Sequence, residues 1–319
     1  MTVTEQHQDH PGTGSRTSLR PEPPSRSGLR RQDAMWATVL IAPTAIGLLV
    51  FSIWPTLLTF YYSFTSWGAF GGHTWAGLEN YTQLLHDSEL LQSLVNTAIL
   101  SLITLLSVPL GIVVAALLHR PDFRLTRFYR TVYFLPAVTL PASIALMWRL
   151  VYNGDFGPLN WTLSLVGIDG PSWLADSHTA IYALGVVSIW GSIGYNMVLF
   201  LAGMQAIPRD YYEAAELDGA GSISQFFQIT VPLLTPTTFF VTVITVINAL
   251  QAFDLVFLMI GKTNPALEKS QTVVYLFYEK GFVESQGGYA AAIAFVLLAV
   301  ILVFTAVQFR MQRRWVHYG

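Results

Sequence analysis

The sequence predicts an all-α transmembrane fold with six spans, and three observations carry that expectation. Of 319 residues 53% are apolar and only 11% charged, against roughly 25% charged in soluble domains. Six apolar segments, near residues 36–64, 95–118, 128–151, 179–205, 233–260 and 289–309, each reach the ~20 residues that a helix needs to cross a bilayer. Basic residues gather in alternate connectors, as they do when cytoplasmic loops hold the positive charge.

Residues 1–33 are polar and rich in Pro, Ser, Gly and Arg, too poor in apolar residues to fold, and are expected to form a disordered cytoplasmic tail. A six-span transmembrane domain is expected over residues 34–319. No signal-peptide pattern precedes the first apolar segment, so that segment is expected to remain as an anchor. The tail carries Arg16, Arg20, Arg26, Arg30 and Arg31. A nucleic-acid arm is one reading, and an orienting charge beside the first span is the other. Pro43, Pro55, Pro109, Pro136 and Pro141 lie within the spans, where a bundle can satisfy the backbone groups they free.

Arginine placement sets the topology. The second connector carries Arg120, Arg124 and Arg127, with Arg130 just inside the third span, and Arg310, Arg313 and Arg314 lie at the C-terminus. Residues 65–94 and 153–178 contain neither Lys nor Arg. Both termini and the stretch 206–236 are therefore expected on the cytoplasmic side. Lys262, Lys269 and Lys280 in the fifth connector oppose this, with Glu268, Glu279 and Glu284 near them.

The stretch from Pro208 to Pro236 is the long polar interruption with a helical pattern. Pro208 suits a first helical position and Asp210 the first turn. Glu213, Ala214 and Ala215 continue the helix, and Gly219 and Gly221 end it. Ser222 and Gln225 have the spacing of a capping box that would start a second helix through Phe226, Phe227 and Ile229. The pair reads either as a knob offered to a partner or as a connector lying on the membrane surface.

Glu213-Ala214-Ala215, Asp218-Gly219-Ala220, Phe226, Ile229 and Pro232 resemble the EAA loop of permease subunits in binding-protein-dependent ABC importers. Trp75, residues 77–81 and Asn96-Thr97 are similar to the region between the first two core helices of the carbohydrate-uptake group. The likeness covers the chain from about residue 36. It departs after the fifth span, where a common Gly-Gly-Pro is replaced by Gly261-Lys262-Thr263-Asn264-Pro265. The resemblance implies a six-helix permease bundle with cytoplasmic coupling helices, in which Glu213, Ala214, Ala215, Asp218, Gly219, Ala220 and Pro232 serve ATPase coupling. It also implies a second homologous permease, two cytoplasmic ATPase subunits and an extracytoplasmic solute-binding protein. ATP and Mg would belong to the ATPase subunits, with no cofactor on this chain.

The chain is not expected to be an enzyme. Gly261-Lys262-Thr263 looks like the end of a phosphate loop, but the glycine required five positions earlier is Val256 and the strand–loop–helix context is missing. The seven histidines show no metal-ligand spacing, there is no cysteine, and no nucleophile elbow occurs.

Polar residues inside spans mark a candidate solute pathway. Asn248, Gln251 and Asp254 follow one another at i, i+3 and i+6 on the fifth segment, where amides and a carboxylate can bind hydroxyls or, alternatively, bond neighbouring helices. On the fourth, Ser188, Ser192 and Tyr195 share a helical face, with Trp190 and Asn196 beside them. Residues 190–218 resemble the larger permease of maltose importers, and the likeness implies that this face meets the sugar. The rival class is a proton- or sodium-coupled transporter using Asp254, which would carry repeated halves that the sequence does not show.

Overall fold

The computed structural model describes residues 26–67, 72–119 and 125–315, with side chains over 33–67, 72–119 and 125–312. Arg16, Arg20, Arg120 and Arg124, and most of the expected disordered tail, lie outside them. The chain divides into two units, residues 1–57 and 58–319.

In the first unit a helix runs over Arg26–Leu48, so the boundary expected at residue 33 moves earlier. After Pro24 nothing in Arg26–Gln32 forbids a helix, and Leu29, Arg30, Arg31 and Gln32 favour one. A π turn follows over Leu49–Ile53, in which the Trp54 N–H reaches the Leu49 carbonyl. Pro55 has no N–H to donate one turn back, which is where such a bulge relieves the ladder.

The second unit opens with an exception to the all-α expectation. Thr65–Trp67 pairs antiparallel with His73–Trp75, with Thr65 opposite Trp75 and Trp67 opposite His73. Asn80 Nδ2 holds this hairpin by donating to the Ser63 and Thr65 carbonyls at 2.8 and 2.9 Å. The hairpin sits on the start of the last helix, where a Cβ at Gly288 would overlap the Thr65 carbonyl oxygen. Short runs of Thr, Ser, Trp and His are β-compatible but too brief to show alternation.

The second apolar segment spans Ser88–His119. Asp87 caps it, accepting from the Glu89 N–H at 2.8 Å, and a turn at Leu106 divides it. Pro109 cannot donate to the Leu105 carbonyl, which accounts for the turn. The third segment, whose Pro136 and Pro141 suggest either a kink or plain packing, is two helices, Thr126–Val138 and Pro141–Val151, bent by 102°. Thr139 and Leu140 are extended because a residue before proline avoids the helical region, and Pro141 then opens the next helix.

The fourth, Ala180–Gln205, is unbroken and forms the axis of the bundle. Leu184, Val187, Met197 and Phe200 are fully buried on it. Gly194 allows the third segment to approach so closely that a Cβ would collide with the Tyr133 carbonyl. The fifth, expected over 233–260, bends by 68° between Ser222–Leu233 and Thr235–Leu250 and ends at Leu250. A separate short piece containing the π turn Val256–Ile260 follows. The last helix is Gly287–Trp315. Among the described residues four helices are long and apolar enough to cross a membrane, and six spans result if each bent pair is one.

Candidate functional site

The polar stretch 206–236 folds into a helical hairpin. Its first helix is Asp210–Leu217, starting two residues after Pro208. Asp210 and Glu213 occupy its first turn, where the exposed N–H groups favour carboxylates. It ends in a Schellman motif: the Gly219 N–H bonds to the Glu216 carbonyl at 3.0 Å and the Ala220 N–H to the Ala215 carbonyl at 2.9 Å. Gly219 has φ +80°, a conformation that glycine adopts without strain. This gives Asp218-Gly219-Ala220 a physical reason for its order.

The second helix begins at Ser222, and the expected Ser222–Gln225 capping box does not form. Gly221 is the cap residue, and Gln225 Nε2 instead donates to the Ala220 carbonyl at 3.1 Å across the bend. Gln225 lies one position too late for a box whose cap is Gly221. A π turn over Phe226–Thr230 continues the helix, and Tyr212 hydroxyl meets Thr230 Oγ1 at 3.0 Å, tying the two arms. Pro232 is exposed beyond it.

This hairpin is a rigid projection with an apolar tip. Leu217 is 91% exposed, Ile223 74% and Phe227 64%. Leu217 and Ile223 were not among the contact residues expected from sequence, although apolar side chains flanking a Gly-rich bend in a polar stretch were the available signal. Glu213, Ala214, Asp218 and Gly219 are also exposed, while Ala215 and Ala220 are half-buried. No described cation pairs with Glu213. The tip thus carries carboxylates and apolar side chains together, a surface suited to another protein rather than to water.

The eight pathway candidates separate into two groups. Ser188 and Asn196 face the interior: Thr104 Oγ1 donates to Ser188 Oγ at 2.9 Å, and Asn196 Nδ2 donates to Ser107 Oγ at 2.9 Å. These bonds join the second and fourth spans. Trp190 and Tyr195 on the same helix are 36% and 43% exposed, and Ser192 is half-buried. Trp190 meets Trp148 edge-on at 5.7 Å.

Asn248, Gln251 and Asp254 are all exposed but do not share one helix. Thr235–Leu250 ends before Gln251, which is its C-cap residue with φ −98°, and Asp254 starts the next piece. The expected i, i+3, i+6 row is therefore interrupted, because the chain unwinds between Gln251 and Phe253. Among the described residues no group of three or more His, Asp or Glu side chains is placed to hold a metal.

At the opposite end of the bundle the three lysines that opposed the topology are each engaged. Lys280 Nζ lies 2.8 Å from Glu89 Oε2 and 3.1 Å from Glu284 Oε1, and Lys262 lies 3.8 Å from Glu279. Lys269 donates to Gln92 Oε1 at 3.2 Å. Burial works against the Lys280 ammonium, but its hydrogen bonds to Glu89 and Glu284 outweigh that and raise its pKa above the ordinary lysine value. Tyr289 donates to Asp87 beside them. Gly261, in the discounted phosphate-loop likeness, has φ +73° and ends a π turn rather than a strand.

Residues 107–317 match the family described as binding-protein-dependent transport system inner membrane component. The chain belongs to that family. It is 36% identical to the sn-glycerol-3-phosphate transport system permease protein UgpA of Agrobacterium fabrum, over 88% of this chain and 96% of that one. It is 33% identical to the probable ABC transporter permease protein YesP of Bacillus subtilis, over 90% and 94%. The crystal structure of a bacterial ABC transporter for import of the acidic polysaccharide alginate includes a chain of the same fold. The TM-score is 0.78 at 23% identity, covering 90% of this chain and 98% of that one. As a member of the family the protein is a multi-pass inner-membrane transport component, and the matched region contains the whole helical hairpin.

Proposed function

We propose that this chain is a permease subunit of an ATP-driven importer that takes up a carbohydrate or a sugar-like solute such as a glycerophosphodiester. The observation that carries the proposal is the hairpin at Asp210–Leu217 and Ser222–Gln225, with its apolar tip and a Glu213 that pairs with no described cation, in a family that depends on a separate binding protein. The relatives' names, a glycerol-3-phosphate permease and an alginate importer, support the solute class.

In this reading both termini and the hairpin are cytoplasmic. Two ATPase subunits, which hold ATP and Mg, grip the hairpins of this chain and of a second homologous permease. A solute-binding protein docks on the other side. Closure of the ATPase pair moves the hairpin as a body, because the Schellman turn and the Tyr212–Thr230 bond leave it little freedom of its own. That motion switches the bundle between inward- and outward-facing forms.

Vesicles containing this chain, its partner permease and the ATPase subunits should accumulate solute with internal ATP and external binding protein. Uptake by this chain alone under a proton gradient would overturn the reading in favour of a transporter driven through Asp254.

A further inference from the structure

We propose that the groove between the third and fourth spans beside Arg130 is a binding site for an anionic phospholipid of the cytoplasmic leaflet. The orientation rests on the topology proposed above; the site itself rests on four separate features of the chain.

The first is the groove. Thr126–Val138 and Ala180–Gln205 touch tightly at Gly194, and a groove opens beside that contact. The opening, about 300 Å³, is lined by Arg130, Thr131, Phe134, Leu135, Val138 and Val198. Arg130, Phe134 and Val138 succeed one another at four-residue intervals, forming a single stripe along the helix. Apart from the arginine and one hydroxyl the lining is hydrocarbon, as an acyl chain requires.

The second is the state of Arg130. Its Nη2 donates to the Leu118 carbonyl at 3.2 Å, at the end of the second span, which fixes the guanidinium at the head of the groove. Its Nε is buried and has no acceptor among the described residues. A buried donor left unmade is costly, and in a native site an ion or ordered molecule commonly supplies the acceptor.

The third is uncompensated positive charge. Arg130 and Arg209 are both within electrostatic reach of His119, and Arg127 precedes Arg130 by one turn of its helix. Among the described residues no carboxylate pairs with Arg127, Arg130 or Arg209. The lysines at the other end of the bundle, by contrast, are all engaged.

The fourth is position. A cationic head above a hydrocarbon groove, at the end of a span, matches a phosphate at the level of the lipid headgroups with its chain below. Guanidinium suits a phosphate because it offers several donors in a fixed fork. A soluble anion would satisfy the arginine and leave the groove bare.

The test uses the assembled importer, stripped of lipid in detergent and incubated with phosphatidylglycerol or phosphatidylcholine, with retained lipid read by native mass spectrometry. Phosphatidylglycerol should be retained about tenfold better, the scale expected of hydrogen bonds to a charged group. Arg130→Gln should abolish the preference and Arg130→Lys keep part of it. Val198→Trp leaves every charge in place and should exclude the lipid by filling the groove, so the proposal remains testable if Arg130→Gln folds poorly. Equal retention of both lipids, or retention unchanged in Val198→Trp, would overturn it. So would complete displacement by millimolar inorganic phosphate, which would mark a free-anion site. Cross-linking of a cysteine at 198 to the second permease in native membranes would mark a protein interface and likewise end the proposal. Transport by the assembly is a separate readout, so a failed lipid site leaves the importer reading standing.

Discussion

Thr104 of the second span donates its hydroxyl proton to Ser188 of the fourth, 2.9 Å away. One level along, Asn196 and Ser107 make an equivalent bond. Ser188 and Asn196 thus tie two helices together, whereas Trp190 and Tyr195, on the same helix, remain exposed. A polar residue in a span can serve solute or packing, and the bonds of Ser188 and Asn196 are packing bonds.

Ser188→Ala should therefore leave solute selectivity unchanged and lower stability by about 0.6 kcal/mol, the mean for interhelical hydrogen bonds in a membrane protein. Tyr195→Ala and Asn248→Ala should instead change relative uptake rates among sugars. Competition uptake with a panel of labelled solutes checks both; a selectivity shift in Ser188→Ala alone would reverse the assignment.

Glu213→Ala should insert normally, since the side chain is exposed and pairs with no described cation, yet reduce binding-protein-stimulated ATP hydrolysis at least roughly tenfold, on the scale of losing one charge-assisted contact. Leu217→Asp should do the same through the apolar tip. ATPase assays of the assembled importer decide it, and full stimulation in both variants would count against the hairpin as the docking element.

Gly288→Ala should be severe for so small a change. The added methyl would overlap the Thr65 carbonyl, a backbone atom held by Asn80 that cannot swing aside. The expected cost is about 1–3 kcal/mol, read as a fall in melting temperature. Gly219→Ala makes a useful contrast, because no atom stands in its way and strain comes only from φ +80°.

Lys280→Met should lower the melting temperature, and the difference from the parent protein should shrink in high salt, because the lost contacts are ionic. The lysine pKa is raised in the fold, so its stabilisation is complete below the free-lysine value of 10.5 and disappears only as pH climbs through the higher folded value. Melting curves of the two proteins should stay apart at pH 8 and converge only at strongly alkaline pH.

The apolar segments and the helical hairpin at 206–236 were legible because length, composition and glycine placement act locally. Gly219 ends its helix for the reason the sequence supplies, and the EAA-like residues lie on one hairpin. The breaks were harder to read. Pro141 stops a helix while Pro43 and Pro136 do not, since a proline's effect depends on whether neighbouring helices satisfy what it frees. The unwinding at Gln251 has no proline or glycine to announce it. The hairpin at Thr65–Trp75 packs on Gly288, over two hundred residues away, and Leu217 and Ile223 show in the sequence only as apolar side chains beside a Gly-rich bend, a signal that gives their place but not their exposure.

The sharp corner at Thr139–Leu140 bears on how the protein matures. Pro141 cannot bond to the Ala137 carbonyl, and Val138 and Leu140 beside it are 63% and 73% exposed. Hydrocarbon does not tolerate bare peptide groups, so in the proposed importer a companion subunit would cover this elbow. Synthesised without its companions, the chain would present that elbow to the surrounding bilayer, and cells should clear it as an orphan before it could ever operate.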